Sequence, residues 1–128
     1  MKAKSRRATR GFRRLKVYQL AYQLSLDLFK ASTSFPTDGD PLVDQIRRSS
    51  RGVASNVAIG YQKRRFERMF VRMLVDAESD STETQVWIDI AHDLGYIKGT
   101  EHLDFLTRYE EVTRMLKGMM EHPERFMT

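Results

Sequence analysis

An all-α, antiparallel up-down four-helix bundle is the fold class this sequence predicts, and three observations predict it. Apolar residues recur at helical spacing in four long segments. The connections between those segments are short and carry proline, glycine or a run of basic residues. No stretch alternates apolar and polar residues as a half-buried strand would. At 128 residues the chain makes one domain with a modest core.

Residues 1–14 read as a disordered basic arm, since Lys2, Lys4, Arg6, Arg7, Arg10, Arg13 and Arg14 stand among almost no apolar residues. The bundle is expected over 15–122. Its first helix runs from about Leu15 to Ser32, with Val17, Leu20, Ala21, Leu24, Leu28 and Ala31 on one face. Tyr18, Tyr22 and Phe29 form a second stripe.

Pro36 and Gly39 mark the following loop. Asp40 is placed to cap the second helix, with Pro41 at its first position. That helix runs to about Tyr61 and turns Leu42, Ile46, Ser50, Val53 and Val57 inward, leaving Arg47, Arg48 and Arg51 off that face. Gln62 to Arg65 is a basic turn. The third helix covers about Phe66 to Leu94, with Phe66, Phe70, Leu74, Ala77, Ser81, Thr84 and Ile88 inward and Val71, Val75 and Val86 on another side.

Gly95 stands where a helix-ending glycine belongs. Thr100 is expected to cap a fourth helix that runs to about Met120, with Phe105, Tyr109, Val112, Leu116 and Met120 inward. Residues 123–128 form a C-terminal tail opened by Pro123.

The first and third helices carry more apolar surface than one core face needs, which points to a homo-oligomer. The absence of cysteine excludes disulfides and thiolate metal sites and fits a reducing compartment, so the expected location is cytoplasmic. No apolar run reaches the roughly 20 residues of a membrane span. No apolar segment follows the basic start, so no secretory signal is expected.

Charge is segregated along the chain. Residues 1–16 hold eight Lys/Arg and no acid, and residues 47–72 hold eight against one. Residues 73–128 reverse the balance, with five Lys/Arg against twelve Asp/Glu. Such a distribution suits nucleic-acid contact through the basic parts or head-to-tail self-association. The candidate nucleic-acid-binding residues are Arg47, Arg48, Arg51, Lys63, Arg64, Arg65 and Arg68, with Arg72 and the arm beside them. No base-reading motif accompanies them, so binding by charge and shape is expected.

Asn56 and Glu83 are expected to be partly enclosed, with Arg47 or Arg51 as the partner of Glu83 and a register-fixing role for the pair. His92, His102 and His122 lack metal-ligand spacing. The acids Asp76, Glu78, Asp80 and Glu83 read as a solvated face, and a metal-dependent nuclease is the alternative they would support. Met69, Met73, Met115, Met119 and Met120 read as core filler or a soft subunit contact. No phosphate loop, nucleophile motif or thiol is present, so no enzyme, cofactor or small-molecule substrate is expected. A protein-interaction adaptor is the other alternative.

The chain resembles the bacterial four-helix bundle proteins encoded within intervening sequences of 23S ribosomal RNA genes. The resemblance is carried by Gln45-Ile46-Arg47-Arg48, then Asn56 and Gly60, by Phe70 to Leu74, Ala77 and Glu83, and by Asp93-Leu94-Gly95-Tyr96-Ile97. Phe12, Leu15, Val17 and Tyr18 resemble the family's opening. The resemblance implies a ring-like pentamer and nucleic-acid binding. The architecture is also similar to accessory proteins of diversity-generating retroelements, which implies a basic surface that engages nucleic acid. Ser49-Ser50, Ile59 and Ser79-Asp80 depart from the family pattern. A role for the usual glutamate at the position of Ile59 does not transfer.

Overall fold

The computed structural model describes residues 10–36 and 40–127. Among the described residues there are four α-helices and no strand: α1 Lys16–Ser32, α2 Leu42–Gln62, α3 Glu67–Asp93 and α4 Gly99–Glu121. Each helix packs on the next and α4 packs back on α1, with α2 against α3 the most extensive contact. Short connections between sequential neighbours give the up-down order the sequence predicts.

The helix ends follow from particular residues. Asp40 is not the cap residue of α2, but from the position before it its Oδ1 accepts the Leu42 N–H at 2.9 Å. Pro41 holds the cap position itself, and the helix opens one residue later than expected. Gly95 adopts φ +83° after α3. The Tyr96 N–H then donates to the Ala91 carbonyl at 2.8 Å and the Gly95 N–H to that of His92 at 2.9 Å, which satisfies two carbonyls at the helix end.

Thr100 does not cap α4. The backbone of Lys98 is extended and its carbonyl accepts the His102 N–H, so the helix begins at Gly99 and Thr100 lies within it.

Residues 1–9, most of the expected arm, lie outside the described residues, as does Gly39. The end of that segment departs from the expectation. Gly11–Arg14 forms a 3-10 turn, and Phe12 sits edge-on against Tyr18 with ring centroids 5.0 Å apart. The C-terminal tail is likewise held down: Pro123–Arg125 forms a 3-10 turn and Phe126 lies 5.8 Å from the Phe70 ring.

The inward stripes meet in one core that includes Leu24, Leu28, Ile46, Val53, Val57, Phe70, Leu74, Ile88, Tyr109 and Leu116. Four positions differ from the sequence reading. Phe66 is 53% exposed, because it sits at the cap position before α3 has begun. Met119 is buried in place of Met120. Leu20 and Ala31 are only half-buried.

Between α2 and α3 runs a seam of small and hydroxyl side chains. The buried Thr84 hydroxyl lies 2.8 Å from Ser49 Oγ and 2.7 Å from the Asp80 carbonyl. A Cβ at Gly60 would lie 3.1 Å from Met73 Cβ, a measure of how closely the two backbones approach. Hydroxyls bonded to helix carbonyls occupy little width and leave no polar group unsatisfied.

Candidate nucleic-acid interface

The seven basic residues singled out in the sequence occupy two places. One cluster lies on the N-terminal half of α2. Arg47 is half-buried where α2 crosses the end of α1. Its Nε donates to Ser32 Oγ at 2.8 Å and its Nη2 to the Phe29 carbonyl at 3.3 Å. That carbonyl is among the last four of α1, so Arg47 supplies a donor to a helix end that lacks them. The Arg47 guanidinium also stands 4.1 Å above the centroid of the Phe29 ring, and that of Arg51 lies 5.7 Å from it. Both are within cation–π range. Arg48 and Arg51 are exposed. Phe29, Asp44, Arg47, Arg48, Arg51, Gly52 and Ser55 line an open groove of about 740 Å³.

The second cluster is the α2–α3 turn. Lys63 ends α2, and Arg64 folds back so that its Nη1 donates to the Tyr61 carbonyl at 2.9 Å and its guanidinium lies 3.9 Å above the Tyr61 ring. Arg65 lies 5.1 Å from the Phe66 ring centroid, and Arg68 is exposed in the first turn of α3. Arg14 joins this cluster through its Nη2, which donates to the Tyr61 hydroxyl at 3.1 Å.

Arg51 and Lys63 are twelve positions apart, about 18 Å along the helix. The arginines of α2 therefore do not continue into the turn as one patch. Among the described residues none of the seven makes an ion pair. Arg47 and Arg64 donate to carbonyls and a hydroxyl, and with Arg51 and Arg65 they stand near ring faces, so none of these contacts is to a carboxylate.

The enclosed polar pair is not the one expected. Glu83 is exposed and accepts the Trp87 indole N–H at 3.0 Å. Neither Arg47 nor Arg51 reaches it. Asn56 is half-buried, and its Nδ2 donates to Asp80 Oδ2 at 2.8 Å. Asp80 rests over Gly52, where an added Cβ would come within 2.8 Å of the carboxylate carbon. Burial raises the Asp80 pKa; the Asn56 hydrogen bond opposes that rise, while Glu83 and Asp76 add to it.

Two further side-chain contacts tie the helices, one an ion pair and one a histidine hydrogen bond. Arg108 Nη2 meets Asp27 Oδ2 at 2.6 Å and joins α4 to α1. His102 Nε2 lies 2.7 Å from Asp89 Oδ1, and the His102 ring stacks on His92 at 4.1 Å. Among the described residues no three of His, Cys, Asp and Glu are placed to hold a metal ion. None of their helices is long and apolar enough to cross a membrane.

Sequence reasoning missed two participants. Arg14 was assigned to the free arm, and Phe29 to a surplus apolar stripe. The signal for Phe29 lay in the spacing of Ser32 and the arginines across the loop, which only a docked α1 and α2 makes visible.

Four packed helices with arginines gathered at two places, and no strand among the described residues, define a class, that of small all-α helical bundles. The chain belongs to the 23S rRNA-intervening sequence protein family, whose model matches residues 13–118. A solved structure from Bacteroides thetaiotaomicron, described as a protein of unknown function from the S23 ribosomal protein family, is similar in fold. It has a TM-score of 0.73 and 16% sequence identity, over 81% of this chain and 97% of that one. No curated protein matches the chain in sequence.

Proposed function

We propose that the protein is a non-enzymatic, cytoplasmic homo-oligomer that binds nucleic acid by charge through its two arginine clusters. The observation that carries this reading is that Arg47, Arg48, Arg51, Lys63, Arg64, Arg65 and Arg68 make no ion pair among the described residues. Cations held on neutral acceptors and ring faces keep their full charge for a partner. Phosphates supply the complementary charge, and counterion release supplies the driving force. Membership of the 23S rRNA-intervening sequence protein family makes ribosomal RNA the first nucleic acid to test.

The oligomer rests on apolar side chains left outside the core: Tyr22 and Leu26 on α1, and Val75, Val86 and Ile90 on α3, each more than a third exposed. A ring would repeat the arginine clusters and multiply a weak contact by avidity. The acids of α3 do not favour a nuclease, because Asp80 faces Asn56 and Glu83 faces Trp87.

The test is a fluorescence titration of a labelled ribosomal RNA fragment at several salt concentrations. Wild type is expected to bind with a log affinity that falls linearly with log salt. The double variant Arg64→Glu/Arg65→Glu should lower the affinity and flatten that slope by roughly 0.7–0.9 per lost phosphate contact. Absence of any binding at low salt, with the fold intact by circular dichroism, would end this reading.

A further inference from the structure

We propose that the groove between the end of α1 and the N-terminal half of α2 holds an unpaired nucleotide, which makes single-stranded nucleic acid the preferred ligand. This rests on the nucleic-acid reading above and names the form of nucleic acid the site takes.

The groove has the parts of a nucleotide site in one place. Phe29 and Arg47 form a platform, with the guanidinium 4.1 Å above the ring centroid. Aromatic rings and guanidinium planes are the two surfaces on which unstacked bases are laid. Arg47 is pre-set for this role. Two of its five N–H groups are committed to Ser32 Oγ and the Phe29 carbonyl, which fixes the plane, and the others stay available. The exposed Arg48 and Arg51 stand beside the platform, where phosphates on either side of a base would lie.

Asp44 distinguishes a nucleotide from a plain anion. It lines the same groove and forms no ion pair with the arginines there, among the described residues. A carboxylate repels phosphate but accepts hydrogen bonds from exocyclic amino groups of bases. A site built only for anions gains nothing from it.

Size points the same way. The groove volume of about 740 Å³ falls within the range of small-molecule sites. It lies between packed helices whose axes are only about 8–10 Å apart. A duplex is much wider than that and reaches only the rim, where Arg48 and Arg51 are. The turn cluster at Lys63 to Arg68 is expected to treat both forms alike, because exposed cations meet the phosphates of either.

The experiment compares a labelled single-stranded RNA of about twelve nucleotides with a blunt duplex of the same length, at one salt concentration. The proteins are wild type, Phe29→Ala, Phe29→Tyr and Arg64→Glu/Arg65→Glu. Mass by light scattering and fold by circular dichroism are measured in parallel.

The expected result is that wild type prefers the single strand. Phe29→Ala loses about tenfold on the single strand, the effect of one lost base stack, and less than about twofold on the duplex. Phe29→Tyr, which keeps the ring, restores the preference. Arg64→Glu/Arg65→Glu weakens both forms together.

An equal loss on both forms in Phe29→Ala, or no loss on either, overturns the groove assignment and leaves charge-driven binding standing. So does a fall in mass in Phe29→Ala, because the groove would then be a subunit contact. Failure of wild type to bind either form removes both readings.

Discussion

Tyr109 is the largest fully buried side chain, and its hydroxyl has no hydrogen-bond partner among the described residues. Burial pushes its phenol well above the usual tyrosine range. An unsatisfied buried hydroxyl is unfavourable, so Tyr109→Phe should leave thermal stability unchanged or raise it by up to about 1 kcal/mol in chemical denaturation.

Two aspartates carry pH dependence of opposite sign. Burial works against the Asp27 charge, but the hydrogen bonds from Arg108 and Gln23 prevail and its pKa is lowered. Its contribution is therefore present above the unfolded carboxylate pKa and is lost as pH falls through the lower folded value. Asp80 is raised, chiefly by burial. It penalises the folded state at neutral pH, and the penalty is relieved as pH falls through the raised folded value. Asp27→Asn should destabilise and Asp80→Asn should stabilise at pH 7. Both differences should fade in melts run below the ordinary carboxylate range. An Asp80→Asn protein that melts below wild type at pH 7 would contradict this assignment of strain.

At the scale of helices, α2 and α3 meet through Gly52, Asn56 and Asp80, and the contact predicts a coupling. Alanine is about 1 kcal/mol better than glycine within a helix. In wild type that gain is opposed, because the new Cβ would displace the Asp80 carboxylate from Asn56. In an Asp80→Ala background the obstruction is gone. A double-mutant cycle should therefore show Gly52→Ala stabilising by up to about 1 kcal/mol there and by less, or not at all, in wild type. At the other end of α3, Gly95 has open space around it but a φ of +83°. Gly95→Ala should cost roughly 1 kcal/mol through backbone strain alone.

The four helices and their inward stripes were legible in the sequence, because the apolar period is a property of each helix by itself. The contact just described was not. Asp80 and Glu83 lie three residues apart on the same helix, and their directions differ by about 60°. Which of them turns toward α2 depends on how the two helices are rotated against each other. Gly52 and the serine seam fix that rotation by close approach, and a single helix pattern contains no such information. The basic residues were legible one by one. Their division into two clusters follows from the length of α2 and from the folding back of Arg47 and Arg64 onto Phe29 and Tyr61.

For the whole molecule, the proposed ring links the apolar surface of α3 to the charge on α2. Val75, Val86 and Ile90 are 43%, 48% and 37% exposed. Covering such side chains against another copy would contribute about 25 cal/mol for each Å² of apolar surface removed from water. Wild type is therefore expected to show a light-scattering mass several times the 15.0 kDa of one chain. Val86→Asp places a charge in that apolar contact, and the assembly should dissociate toward single chains. Both arginine clusters remain intact in this variant, so each chain keeps its own phosphate contacts. What it loses is their simultaneous use. The slope of log affinity against log salt counts phosphates neutralised per binding event, and it should fall with the mass. If the mass falls and the salt slope stays at its wild-type value, a single chain makes the whole contact and the ring has no part in binding. If Val86→Asp leaves the mass unchanged, the subunits meet elsewhere, and the exposed apolar residues of α1 at Tyr22 and Leu26 are the next to be charged.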